Sequence, residues 1–274
     1  MSLVLDSLRF DVRLLRINSL ALTWKVGFLG KKYIALASLL RGKSASIVLG
    51  SLRMTFSDVS GLGTFQSNIV DVFNEIVQTE LITRRDPFVI DVGANIGQFT
   101  NAIKLFFPAA RVIAFEPDPD VFAALERNTA RLGGVAMHNF ALGGTTSTLP
   151  FHRHRLSTMS SFSPLDNSED LVDVLNVPVR RLDDVLGDTD QPDLVKVDAE
   201  ASEVEVLAGA TATLQRAAFL VVEVSLGTTS GRYNLEVFEV IRRACPEAHI
   251  LRYGRQLGDP KRPQCQDVVL ALRE

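Results

Sequence analysis

Cysteine is scarce in this 274-residue chain: Cys245 and Cys265 stand alone, with no Cys-x-x-Cys pair and no histidine nearby at metal-ligand spacing. A disulfide framework and a zinc ribbon are thereby excluded, and both cysteines are expected to be buried thiols of a reducing compartment. Net charge is also small, 29 Lys and Arg against 32 Asp and Glu. Binding of nucleic acid through bulk charge is not expected. No apolar run approaches the ~20 residues that span a bilayer. Asp6, Arg9, Asp11, Arg13 and Arg16 break up any signal-peptide pattern, so the expected location is cytoplasmic. Internal repeats and low-complexity tracts are absent, and with them collagen-like and array architectures.

What is present is an ordinary globular composition, 46% hydrophobic and 22% charged, in a chain long enough for one large domain or one and a half. Charge is unevenly spread. Residues 1–53 hold nine basic and two acidic side chains, a surplus of +7 in a chain whose total is −3. Leu5, Leu8, Val12, Leu15, Leu22, Val26, Leu29, Tyr33, Leu36 and Leu40 follow a three-to-four spacing, with Ser19 as the polar break. The spacing predicts one long amphipathic helix, or two broken near Gly27 or Gly30. Three roles suit it: a helical cap, a dimer-forming helix pair, or a basic face on an anionic membrane surface. Residues 44–58 predict a hairpin about Gly50 and Ser51, and residues 66–82 a helix with Ile69, Phe73, Ile76 and Val77 on one face. We therefore expect a basic helical extension with a short hairpin over 1–64, and a main domain over 65–274.

From residue 87 strand and helix alternate. Strands are predicted at 88–93, 111–116, 135–141, 193–198 and 219–223, and a closing hairpin at 249–253 and 267–272. Helical faces follow at Phe99–Phe106, Phe122–Leu132, Val204–Leu214 and Val237–Ala244. Strands apolar on both faces between helices imply an α/β fold with a covered parallel sheet. Residues 143–192 form an insertion of the kind that shapes substrate pockets. Ligands of such sheets lie at the carboxyl ends of the strands, here Asp91–Gly97, Glu116, Asn139–Leu142, Asp198–Glu200 and Glu223.

Asp91-Val-Gly-Ala-Asn-Ile-Gly97 sits where a strand turns into a helix. Its glycines permit a tight turn and close backbone approach to a ligand. Asn95 stands where a dinucleotide fingerprint needs its second glycine, which disfavours a nicotinamide-dependent oxidoreductase. Glu116 ends the next strand and can accept from both hydroxyls of a ribose. A ribose acid without a pyrophosphate cradle suits S-adenosylmethionine, whose adenine would lie on apolar side chains.

The run Phe88–Thr100, the segment Val112–Pro117, Asn139-Phe-Ala-Leu-Gly143, Leu182-Asp-Asp184, and Leu194–Glu200 followed by Glu203–Ala210 together resemble the FkbM-type methyltransferases. The resemblance covers residues 65–272. It implies the Rossmann-like class I methyltransferase fold, a seven-stranded, mostly parallel sheet with an antiparallel last strand. It also implies S-adenosylmethionine as cofactor and O-methylation of sugar or secondary-metabolite hydroxyls. The cofactor residues it points to are Asp91, Gly93, Ala94, Asn95, Gly97, Glu116, Pro117, Asn139, Ala141, Leu142 and Asp198. One position departs: Ala201 stands where the family has glycine after Asp-x-Glu, which bears on the geometry of Asp198 and Glu200.

Methyl transfer to oxygen is an in-line displacement, so the protein must align a hydroxyl and help remove its proton. Asp198 is expected to orient the cofactor or substrate, and Glu200 to act as base or hydroxyl anchor. Glu200 could instead only cap the following helix. His152 and His154 are further proton acceptors; with no third ligand evident, no metal site is expected. Arg153, Arg155, Arg180 and Arg181 could hold an acidic or sugar substrate, and Glu223 could line the pocket. Trp24 and its helix could cover the site. The expected partner is a small-molecule or glycan hydroxyl acceptor, with peripheral membrane contact or a homodimer through residues 1–43. The competing reading is a non-catalytic, methyltransferase-like binding module, supported by Ala201.

Overall fold

The computed structural model describes residues 2–154, 171–188, 190–226, 231–259 and 262–273. They form two compact units. The first comprises residues 1–86, 96–110 and 123–135, the second residues 87–95, 111–122 and 136–274.

In the first unit, α1 (Ser2–Arg16) and α2 (Leu22–Leu39) run antiparallel. Lys25 Nζ donates to the Leu15 carbonyl at 3.0 Å, and Lys32 Nζ to the Ser7 carbonyl at 3.0 Å and to the Asp11 carboxylate. The break between the helices falls at residues 17–21, not at Gly27 or Gly30, which lie inside α2. Gly27 serves packing instead, since a β-carbon there would come within 3.2 Å of Leu49. The expected apolar face is also corrected. Leu8, Val12, Leu15, Leu22, Val26, Tyr33 and Leu40 are exposed, while Phe10, Leu14, Ile17, Leu20, Phe28, Ala35 and Leu39 are buried. Leu29 and Leu36 are half-buried, and the Leu5 side chain lies outside the described residues. The reason is aromatic: the rings of Phe10, Phe28 and Phe65 pack at centroid distances of 6.1 and 6.2 Å. Trp24 stacks on Phe28 at 5.2 Å.

β1 (Ala45–Leu49) and β2 (Leu52–Phe56) form the expected hairpin, turning at Gly50 with φ +62°. α3 (Val59–Val72) starts seven residues earlier than periodicity predicts, because Asp58 caps it by accepting from Gly61 N at 2.8 Å. It runs on into a π turn at Phe73–Val77, where Gln78 N donates to Phe73 O at 2.7 Å. α4 (Gln98–Phe106) and the latter part of α5 (Pro119–Thr129) complete the unit. Gly97 opens α4 with φ +89°, and a β-carbon there would lie 2.9 Å from Leu125.

The second unit carries β3 (Phe88–Val92), β4 (Arg111–Phe115), β5 (Val135–His138), β6 (Ala141–Leu142), β7 (Ser147–His154) and β8 (Leu171–Arg180). There follow α6 (Leu182–Val185), β9 (Leu194–Val197), α7 (Glu203–Ala208), α8 (Thr211–Arg216), β10 (Phe219–Ser225), α9 (Gly231–Ala244), β11 (His249–Asp259) and β12 (Arg262–Ala271). Seven strands form the main sheet in the order β11-β12-β10-β9-β3-β4-β5. β10, β9, β3 and β4 pair in parallel, and β12 runs antiparallel to both its neighbours. This is the Rossmann-like class I arrangement that the resemblance implies. Ile90, Val92, Val195, Val197, Leu220 and Val222 of the sheet share one core with Val206, Leu207, Leu214, Val237 and Ile241 of α7–α9. Each such side chain contributes roughly 1.5–3 kcal/mol by leaving water.

Two expectations change here. The third strand ends at His138, and Ala141 and Leu142 begin a separate sheet, β6-β8-β7, pairing with Val179 and Arg180. The turn between them is held by Asn139, whose amide donates to the carbonyls of Glu116 and Pro117, and by Phe140, which packs on Phe115 at 5.6 Å. Of the two cysteines, Cys245 is buried, whereas Cys265 on β12 is only partly so. Among the described residues, no helix is long and apolar enough to cross a membrane.

Candidate active site

The carboxyl ends of β3, β4 and β9 are laced together by backbone. Gly93 N and Ala94 N donate to the Phe115 carbonyl at 3.1 and 2.9 Å, and Asp198 N donates to the Val92 carbonyl at 3.1 Å. The turn after β3 then presents Asn95 N to the Glu116 carboxylate at 3.0 Å, and the other Glu116 oxygen accepts from Asp118 N at 2.9 Å. Asn95 takes this role with φ +50°, a conformation asparagine tolerates better than most residues. Asp91, Gly93, Ala94, Asn95, Glu116, Pro117, Asn139 and Asp198 therefore converge in one place. Gly97 belongs to the first unit, at the start of α4. Ala141 and Leu142 are buried in β6; Ala141 packs with Phe151, Val177 and Val179.

Glu116 is buried and no cation pairs with it among the described residues. Burial pushes its carboxyl up to about 8, against the pull of its two backbone donors. The loop that carries it is held from outside by Arg153. Its guanidinium bonds Asp118 at 2.7 Å and Asp120 at 2.5 Å, while Asp118 also accepts from Asp120 N and Val121 N at the start of α5. Arg153 was a candidate for holding substrate; the structure commits it to this loop. Arg180 lies over the Phe140 ring at 4.6 Å and Arg181 pairs with Asp183 and Asp184. Arg155 lies outside the described residues.

A carboxylate cluster stands next to that loop. Parallel pairing sets Lys196 opposite Asp91, and its ammonium lies 3.7 Å from Asp91 and 3.1 Å from Asp198. Burial works against the Lys196 ammonium, but Asp198 and Asp91 outweigh it and hold its pKa above the ordinary lysine value. Around Lys196 and Asp198 gather Glu200, Glu203, Glu223 and Asp267, the last two paired across β10 and β12. Burial, then Asp198 and Glu223, raise the Glu200 carboxyl well above its usual value. Burial lifts Glu203 to about 7 and Glu223 to about 8. Glu203 caps the turn by accepting from Ala199 N at 3.0 Å. Glu200 and Ala201 are both left-handed, with φ +46° and +68°, so Ala201 occupies a position that favours glycine.

His152 lies on β7 opposite Val174, and no hydrogen bond joins it to Asp198 or Glu200. His154 is buried on the same strand. Sequence reasoning missed Lys196, Glu203, Asp267 and Asp118. Lys196 carried a signal, since it lies two residues before Asp198 on a strand and so shares its face. Asp267 carried none, because only the sheet order brings it beside Glu223.

The profile of the Methyltransferase FkbM domain matches residues 91–252. Methyltransferase sdnD of Sordaria araneosa is 33% identical over 156 residues, covering 45% of this chain and 60% of that protein. Hexuronic acid methyltransferase AglP of Haloferax volcanii is 33% identical over 152 residues, covering 52% and 57%. The 2-O-methyltransferase NoeI of Sinorhizobium fredii is 26% identical over 160 residues, covering 53% and 66%. This chain thus spans under two thirds of the length of each of these relatives. The profile match takes in the glycine turn, Glu116, Asn139 and the whole carboxylate cluster up to Glu223, and on it the chain belongs to the FkbM methyltransferase family.

Proposed function

We propose that this chain is an S-adenosylmethionine-dependent O-methyltransferase acting on a hydroxyl of a sugar, glycan or secondary metabolite. The observation that carries the reading is the Glu116 carboxylate, buried at the end of β4 with one backbone donor on each oxygen and, among the described residues, no cation paired with it. Each oxygen retains a free acceptor position, and a ribose diol supplies two donors. The surplus of carboxylates around Lys196 suits a ligand whose other end is cationic. The names of AglP and NoeI, a hexuronic acid methyltransferase and a 2-O-methyltransferase, support a sugar hydroxyl as acceptor.

S-adenosylmethionine, when bound, supplies an electrophilic methyl group with a neutral thioether as leaving group. The chain's part is to bind, orient and deprotonate. Glu116 holds the ribose, and the Gly93–Asn95 backbone gives close approach. Lys196 fixes Asp198 at the end of β9. Glu200 takes the acceptor proton; burial and the neighbouring Asp198 and Glu223 raise its affinity for a proton, which favours that transfer. His152 is the second candidate for that proton.

The test is incubation of the protein with methyl-labelled S-adenosylmethionine and a panel of hexuronides, O-glycosides and hydroxylated metabolites. Base-stable label on an acceptor is expected, together with loss of turnover in Glu200→Gln and loss of cofactor binding in Glu116→Ala. Cofactor binding without transfer to any acceptor would favour the binding-module reading, to which the left-handed Ala201 lends its support. Turnover unchanged in Glu200→Gln but lost in His152→Asn would move the base to β7.

A further inference from the structure

The α1–α2 hairpin buries one face and leaves a second apolar face open. Leu8, Val12 and Leu15 are 47–50% exposed, and Leu22, Val26 and Leu40 are 60–66% exposed. Positions 8, 12 and 15 share one side of α1, and 22, 26, 33 and 40 share one side of α2. Asp11 and Lys32, which join the helices, each lie just beside these stripes on their own helix. In an antiparallel pair, equal offsets turn both stripes to the same side of the hairpin. Arg9, Arg13 and Arg16, all exposed, lie one step round α1 from its stripe. Arg9 and Arg13 also line a cavity of about 340 Å³ between α1 and α3, together with Phe10, Leu62, Gln66 and Val70.

We propose that this open face docks on the surface of an anionic lipid bilayer. Aliphatic side chains on one side and arginines along the flank are what such a surface selects. The apolar stripe enters the acyl boundary while the guanidiniums meet lipid phosphates. Charge argues for lipid over a second copy of the chain. Residues 1–53 carry nine basic side chains, of which only Lys25 and Lys32 are buried against α1, and of their two acids Asp11 is already committed to Lys32 and Tyr33. A twofold contact would bring the same arginine flank to both sides with little acid to answer it. This inference is independent of the proposed chemistry and needs neither cofactor nor acceptor.

The test is flotation of the full chain with vesicles of phosphatidylcholine alone and of phosphatidylcholine with one quarter phosphatidylglycerol, alongside light scattering. Wild type is expected to float only with the anionic vesicles. Val12→Glu with Val26→Glu, and separately Arg9→Glu with Arg13→Glu, should each lower partitioning on the order of tenfold or more. These positions are exposed, and circular-dichroism melting checks that the variants fold. Should they not, partitioning of the wild type must still fall steeply with added salt. Failure of the wild type to float overturns the proposal, as does flotation unaffected by either folded pair of changes. A dimer in solution that Val12→Glu with Val26→Glu dissociates, with no flotation, gives the face to a second copy and also overturns it.

Discussion

The backbone carbonyl of Asp198 closes directly on Gly93: a β-carbon at Gly93 would lie 1.8 Å from that oxygen. Gly93 also has φ +75°. The turn after β3 and the end of β9 are thus fitted to each other through a missing side chain, and the residues that flank the contact, Asp91 and Asp198, are the two that share Lys196.

Gly93→Ala should therefore be severe. The left-handed backbone alone costs about 1–2 kcal/mol for alanine, and the collision with backbone adds to it. We expect loss of more than ~2 kcal/mol of stability by denaturant unfolding, and loss of S-adenosylmethionine binding by calorimetry. Gly133→Ala is the control: a β-carbon there meets nothing within 4 Å.

Ala201→Gly should do the reverse. Ala201 has φ +68° without the freedom of glycine. Relief of that strain, offset in part by the greater freedom of glycine in the unfolded chain, should leave a gain of about 1 kcal/mol. Scanning calorimetry should show a rise in Tm of about 2–4 °C.

Stability should fall as pH rises through neutrality. An acid whose folded pKa is raised favours the native state while protonated, so its contribution is complete below the unfolded value near 4.5 and is lost as pH approaches the folded value. For Glu223 that window closes at about 8. Glu223→Gln should then match wild type in Tm at pH 5 and exceed it at pH 8.5. Equal melting at both values would show that the cluster accommodates the charge.

Cofactor binding should follow the opposite trend. Free Glu116 titrates at about 8, and donation from a ribose diol favours its carboxylate form. The affinity for S-adenosylmethionine should rise on the order of tenfold from pH 7 to pH 9. Glu116→Gln should bind more weakly and lose most of that slope. Calorimetry in buffers of different ionisation enthalpy would register the released proton.

Much of this was legible in the chain itself. Strands of the central sheet announced themselves because runs such as Phe88–Val92 are apolar on both faces, and their ends named Asp91, Glu116 and Asp198. The helices of the first unit were misread because they are apolar on two sides. Periodicity marks both stripes of α1, and only the packing of Phe10 and Phe28 shows which is covered. Lys25 and Lys32 count as surface charge in a sequence, yet each is buried with its ammonium on a carbonyl of α1. The role of Asp267 depends on a neighbour 44 positions earlier, Glu223, and no local pattern carries that.

The placement of β12 has a consequence for how the molecule is made. This strand lies inside the sheet, between β10 and β11, although it is the last of the three to be synthesised. Until Arg262–Ala271 has left the ribosome, β11 has no strand to pair with and β10 shows an open edge of apolar residues. The order of translation and the order of the sheet are thus out of step at this one point. That interval is when the nascent chain is most exposed to wrong pairing and has most to gain from a chaperone.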